Sequence, residues 1–147
     1  MTRSPRAMLL VAALAAGLTV VGCTAQNPVA ADSGPATLEE VAGSDIKMVV
    51  FTEDAQEAIG VKTAEVTAGP NQGQLTMPYA AVLYYTDGST WTYVVSEERH
   101  YVRRPVTVAA ISGDVATLIA GPEAGTSVVV VGAPEILGAE LEIDGEQ

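Results

Sequence analysis

Few side chains in this sequence combine the type and the spacing that covalent or proton-transfer chemistry needs. His100 is the only histidine, so a Ser-His-Asp site would have to be assembled around it. The Gly-x-Ser-x-Gly turn that presents a hydrolase serine does not occur. Glu98 and Arg99 beside His100 mark a polar loop in which the imidazole is expected to be solvated and inert. Zinc wants several Cys or His ligands, and calcium a dense set of Asp and Asn at short spacing; neither pattern is present. Glu97-Glu98 and the tail Glu140, Glu142, Asp144 and Glu146 read as solvated acidic faces. Met48 and Met77 read as core filler rather than copper ligands, since thioethers fill irregular apolar gaps. The expectation is therefore no enzyme, no cofactor and no metal. Residues suited to recognition are Tyr79, Tyr84, Tyr85, Trp91, Tyr93 and Tyr101 with Arg99, Arg103 and Arg104, because aromatic and Arg side chains are enriched at interface hot spots. The other reading stays open here: the aromatics fill the core and the arginines pair with carboxylates. Within this set Trp91, Tyr101, Arg103 and Arg104 are the expected partner contact, because Arg forms forked hydrogen bonds with carboxylates and stacks on aromatic rings. The Arg103-Arg104 pair is expected to tolerate replacement by Glu without unfolding, as it lies on a strand whose two faces cannot both be core.

Cys23 is the only cysteine, and its setting points to modification. Arg3 and Arg6 precede an apolar or small run from Ala7 to Val21, and Val20-Val21-Gly22-Cys23 closes it. That is the layout of a secretory signal peptide. The closing residues resemble the bacterial lipobox, in which a small residue precedes a cysteine whose thiol receives a diacylglyceryl group and becomes the mature N-terminus. Two alternatives are a transmembrane anchor, which needs about 20 apolar residues, and ordinary cleavage after Ala25. The first falls short in length, and the second leaves Cys23 without a role.

Both arginines of that segment lie before Cys23, which leaves five basic against eighteen acidic residues after it, a net −13. Such a chain repels nucleic acid and anionic headgroups, whose binding rests on Lys and Arg neutralising phosphate, so no nucleic-acid partner is expected. A lone cysteine also allows no internal disulfide, and the fold must rely on its core. About 100 residues of folded chain suffice for one such domain. Between Cys23 and that domain, residues 23–41 are expected to form a flexible tether, with Pro28, Ser33-Gly34-Pro35 and no apolar period. If about 18 residues are flexible, their reach is on the order of 23 Å.

The domain itself, 42–147 with its acidic tail, reads mostly as strand. Ile46 to Phe51 is rich in β-formers, Thr52 caps a short helix with Glu53 and Asp54 in its first turn, and Gly60 stops it. Further strands are expected over Val61 to Val66, Leu75 to Tyr85, Thr90 to Val95, Tyr101 to Ala109, Val115 to Ile119 and Val128 to Val131. Asp87-Gly88 makes a hairpin turn. Val128 to Val131 lacks alternation and is expected to be covered on both faces. Short strands with regular turns indicate an all-β domain, a small sandwich or barrel with one short helix.

Three segments, in order, carry a family resemblance. The first is Phe51-Thr52-Glu53-Asp54-Ala55-Gln56-Glu57-Ala58-Ile59-Gly60-Val61-Lys62-Thr63-Ala64-Glu65-Val66. The second is Met77-Pro78-Tyr79-Ala80-Ala81-Val82-Leu83 with Asp87-Gly88 and Trp91-Thr92-Tyr93-Val94. The third runs from Val102-Arg103-Arg104-Pro105 through Gly113-Asp114 and Gly121-Pro122 to Val128-Val129-Val130-Val131-Gly132-Ala133. Together they resemble the membrane-proximal domain of periplasmic adaptors, or membrane fusion proteins, of efflux systems, over about Ile46 to Leu141. In a full adaptor a lipoyl-like domain, a long helical hairpin and a β-barrel separate the first segment from the second. Here only Thr67 to Gln74 stands between them, and no helical heptads occur. The lipobox-like residues imply a chain lipid-anchored at the extracytoplasmic face of the bacterial cell membrane after removal of signal segment 1–22, and the resemblance of the three segments implies a β-sandwich or barrel-like membrane-proximal domain. It further implies a non-enzymatic accessory role in efflux, with an ABC-type or RND-type permease as partner. The competing expectation is a small-ligand or metal-binding surface lipoprotein.

Overall fold

The computed structural model describes residues 34–145. Segment 1–22, Cys23 and the first part of the expected tether, 24–33, lie outside the described residues.

Local chemistry accounts for the first helix as the sequence predicts. Strand β2 (Lys47–Phe51) runs into Thr52, whose Oγ1 accepts the Ala55 N–H at 3.3 Å. Thr52 thereby caps α1 (Glu53–Ile59), with Glu53 and Asp54 at the positive end of the helix dipole. Gly60 adopts the left-handed conformation, φ 68° and ψ 42°, and its N–H reaches the carbonyls of Gln56 and Glu57. Strand β3 (Lys62–Glu65) follows, then the short β4 (Thr67–Ala68) and β5 (Leu75–Pro78) on either side of a turn. The Gly69 N–H closes that turn on the Gln74 carbonyl at 2.8 Å.

Four elements depart from expectation. Ala36–Glu40, assigned to the tether, is strand β1 and pairs with the whole of β2, from Ala36 opposite Phe51 to Glu40 opposite Lys47. Buried Ala36 and half-buried Leu38 alternate on its inner side, a two-residue period too short to stand out beside Pro35. Leu75 to Tyr85 is not one strand. The chain leaves β5 at Pro78, which has no N–H to donate, makes a 3-10 turn over Tyr79–Ala81 and resumes as β6 (Leu83–Tyr84) in the other sheet. Tyr101 to Ala109 likewise divides into β8 (His100–Pro105) and β9 (Thr107–Ser112). Val106 is pinned at the crossing: its N–H donates to the Thr90 carbonyl at 2.9 Å and its carbonyl accepts the Thr90 hydroxyl at 2.7 Å. Finally, most of the acidic tail is a second helix, α2 (Ala133–Gly145). Ala133, Ile136, Leu137, Glu140 and Ile143 recur at helical spacing, so one face turns to the core. Glu140, expected to be solvated, is buried.

With β7 (Thr90–Glu97), β10 (Val115–Ala120) and β11 (Ser127–Val131), the strands form two sheets. One is seven-stranded, ordered β1-β2-β8-β7-β11-β3 with β6 also on β7; the other is four-stranded, ordered β4-β5-β10-β9. Alternating side chains of the large sheet feed two cores. Tyr93 and Val129 enter a cluster with Val49, Phe51, Tyr101 and Ile136 beneath the helices. Their neighbours Val94 and Val128 enter another with Met77, Ala116 and Leu118 beneath the small sheet. The order is helices, large sheet, small sheet. Val128 and Val129 are both fully buried as predicted, whereas Val131 is 44% exposed. The architecture is a small β-sandwich with helices added to one face.

Candidate functional site

The β7–β8 hairpin positions the residues singled out for recognition. Its register sets Trp91 opposite Pro105, Tyr93 opposite Arg103, and Val95 opposite Tyr101. Residues directly opposite share a face, so Trp91, Tyr93, Arg103 and Tyr101 all turn toward the helices. Thr92 and Arg104 form the intervening pair on the other face.

Helix α2 brings Glu140 down onto this face. The Arg103 guanidinium donates to Glu140 Oε1 at 2.9 Å, and the Tyr93 hydroxyl donates to Oε2 at 2.5 Å. Side-chain exposure is 15% for Arg103 and 7% for Glu140. The guanidinium carbon also lies 4.9 Å from the Tyr85 ring centroid and 5.0 Å from that of Trp91, within cation–π range. Burial, then the hydrogen bond to Glu140, raises the Tyr93 phenol well above its ordinary pKa. Both carboxylate oxygens are therefore committed, while the buried Nε–H of Arg103 has no hydrogen-bond partner among the described residues. The arrangement supplies no free base or nucleophile; it fastens α2 to the hairpin, aided by Lys47 Nζ and Asp144 Oδ1 at 2.8 Å.

Trp91 is half-buried and held by a relay. Its indole N–H donates to Ser89 Oγ at 2.7 Å, and Ser89 donates through its hydroxyl and N–H to Asp87 Oδ1. The Ser89 hydroxyl, then its N–H, holds the Asp87 carboxyl below the usual carboxylate range. Tyr101 is buried, edge-on to Phe51 with centroids 5.9 Å apart, and its hydroxyl donates to Gln56 Oε1 at 2.9 Å. Burial, with the Glu98 charge adding to it, raises the Tyr101 pKa. His100 is the first residue of β8 rather than a loop residue, with Nδ1 2.6 Å from the Glu98 carbonyl. Of the expected contact set only Arg104 is exposed, and its side chain has no ion-pair or hydrogen-bond partner among the described residues. Arg103 cannot be exchanged for Glu harmlessly, since the new carboxylate would face Glu140 inside the fold.

Tyr85 and Glu140 were the partners missing from the sequence reading of Arg103. The helical spacing from Ala133 to Ile143 was the signal that could have located Glu140. Met77 is buried in the small-sheet core, as read, and Met48 accepts a 3.4 Å contact from the Ser96 hydroxyl. Among the described residues no cluster of three or more His, Cys, Asp or Glu side chains is placed to hold a metal, and no helix is long and apolar enough to cross a membrane.

No protein-family model and no curated protein matches the chain. Among solved structures, it is similar to an NMR structure of 180 residues of SilB from Cupriavidus metallidurans CH34, spanning that protein's N-terminal metal-binding site and membrane-proximal domain. Identity is 25%, the TM-score is 0.43, and the match covers 71% of this chain and 67% of that one.

Large aromatic surface remains elsewhere. Tyr79 and Tyr84 are 39% and 56% exposed and meet edge to face with centroids 6.4 Å apart. They stand where the chain passes from the small sheet to the large one.

Proposed function

We propose that the protein is a non-enzymatic, lipid-anchored accessory of a membrane export system. In this reading it stands at the extracytoplasmic face of the bacterial cell membrane and works by contact with an ABC-type or RND-type permease. The observation that carries the reading is the order of the three adaptor-like segments, which supply consecutive parts of one body. The first provides the end of β2, α1 and β3; the second the end of β5, the 3-10 turn and β7; the third β8 to β11. The β4–β5 turn joins the first to the second, where a full adaptor would carry its remaining domains. The contact assigned to the permease moves from the locked Arg103 to the exposed Tyr79–Tyr84 pair, since aromatic side chains with an apolar body and a polar tip favour interfaces.

The test is a photo-crosslinking residue in place of Tyr84, in cells whose export phenotype depends on this gene, with mass spectrometry of what is captured. A permease subunit is the expected product. Capture of no transporter subunit from cells showing that phenotype would overturn the reading and favour the ligand-binding alternative.

A further inference from the structure

Two of the crossings between the sheets lie against each other. Pro105 and Val106 carry the chain from β8 to β9, and residues 121–126 carry it from β10 back to β11. An added Cβ at Gly121 would lie 3.4 Å from Val106 Cγ1 and 3.0 Å from Leu118 Cδ1, so the second crossing is seated tightly on the first. It is also fixed by its backbone: the Val66 N–H donates to the Thr126 carbonyl at 2.9 Å, and the Gly125 N–H donates to the Val66 carbonyl at 2.8 Å. Between the crossings is a cleft of about 510 Å³, lined by Val94, Arg104 and Pro105 and by residues 120–123 and Thr126. That volume is usual for small-molecule sites, and the walls are already formed.

The charges in this cleft are unspent. Arg99 and Arg103 have carboxylate partners, Glu53 and Glu140, whereas Arg104 has none among the described residues. Glu123 is exposed, and its side chain has no ion-pair or hydrogen-bond partner among them either. The two line one cleft without pairing to each other. Thr92, opposite Arg104 on the same face, is fully buried, and its hydroxyl also has no partner among the described residues. The rest of the lining is largely apolar: Val94, Pro105, Ala120 and Pro122. An anion in such a place is drawn to Arg104 and repelled by Glu123, and a cation the reverse. A molecule carrying both charges satisfies both residues, and its zero net charge spares it the repulsion that this acidic chain exerts on anions. Polypeptides carry their free carboxylate and free ammonium at opposite ends, whereas a very short peptide brings the two within reach of one cleft.

From these features we infer that the cleft between the crossings is a binding site for a small zwitterion with an apolar body, of the dipeptide class, its carboxylate on Arg104, its ammonium on Glu123, and its side chains on Val94 and the prolines. The inference does not rest on the permease reading.

The test uses the isotope-labelled full chain in detergent micelles, followed by amide NMR, with leucylleucine as probe. Saturable movement of the Arg104, Gly121 and Glu123 amides is expected. N-acetyl-leucylleucine, which lacks the ammonium, and leucylleucine amide, which lacks the carboxylate, are each expected to bind roughly two- to five-fold more weakly, the worth of one exposed ion pair. Arg104→Gln is expected to lower leucylleucine affinity by the same factor and to erase the difference between leucylleucine and its amide. Glu123→Gln is expected to erase the difference between leucylleucine and its acetylated form. Ala120→Phe fills the cleft and is expected to abolish the movement. All three sites are exposed, and unchanged amide positions away from the cleft report that each variant folds. No saturable movement, movement centred elsewhere, equal affinities for the three peptides, or a difference that survives the matching variant would overturn the inference.

Discussion

Removing Glu140 is expected to loosen α2 from the hairpin and cost more stability than any surface change. Glu140→Ala leaves the Arg103 cation, 15% exposed in its side chain, without its counter-ion, and the buried Tyr93 hydroxyl without its acceptor. Breaking one side of a buried ion pair costs about 3–5 kcal/mol, and an orphaned buried hydroxyl about 1–3 kcal/mol. These losses overlap in one network, and the Tyr85 and Trp91 rings continue to favour the cation, so about 4 kcal/mol is expected in total. With an unfolding entropy of roughly 2.1 cal/mol/K per residue over about 110 residues, Tm falls by about 17 °C. Trp91, the only tryptophan, lies against Arg103, and its fluorescence under urea or heat reads the transition at the site of the change. The companion variant is Tyr93→Phe with Arg103→Met and Glu140→Leu, which replaces the network by apolar groups and should lie within about 1 kcal/mol of the parent. A Glu140→Ala cost under about 1 kcal/mol, or a triple variant as unstable as the single one, would refute the argument that a desolvated charge pair fastens the helix.

The raised Tyr93 pKa contributes stability that is complete below about pH 10, the unfolded value, and is lost as pH rises above it, because only the unfolded chain ionises there. Urea midpoints should fall above about pH 10, and Tyr93→Phe should lessen that fall while the Tyr101 contribution remains. Gly132 has φ 93° and leaves only 2.7 Å between an added Cβ and Ile59 Cγ2; Gly132→Ala is therefore expected to cost about 2 kcal/mol by urea unfolding. For the anchor, Cys23→Ala should release the protein from membrane fractions and change its mobility, because stable anchoring rests on the acyl chains; an unchanged distribution and mobility would reject lipidation.

What could be read in the sequence had its cause within a few residues. Thr52, Glu53, Asp54 and Gly60 define α1 by capping alone, and Asp87-Gly88 closes a hairpin whose geometry those two residues and Ser89 determine. Alternation placed Arg103 on the face opposite Val102 and Arg104. Which face is covered depends on α2, however, and Glu140 lies far along the chain from Arg103. That helix was hidden by Gly138 and by four acidic side chains, which weaken propensity and suggest a solvated tail. The two sheet crossings have a similar cause: Pro78 and Pro105 lie in stretches of continuous strand composition, and only long-range bonds, Tyr79 to Asp114 at the first and Val106 to Thr90 at the second, show where the chain changes sheets.

The β4–β5 turn has a consequence for how such a domain can change in size. The chain leaves through Ala68 and returns through Leu75, and the two are register partners in an antiparallel pair. Exit and entry are thus neighbours, held by the Gly69 to Gln74 bond, and the turn between them adds no residue to either buried cluster. A folded module whose own ends lie close together could be spliced in there or deleted without repacking either core, since lengthening a loop costs only about 0.6 kcal/mol per doubling. The turn works as a socket: a long arm and a bare platform can be alternative versions of one scaffold, separated by a single insertion or deletion.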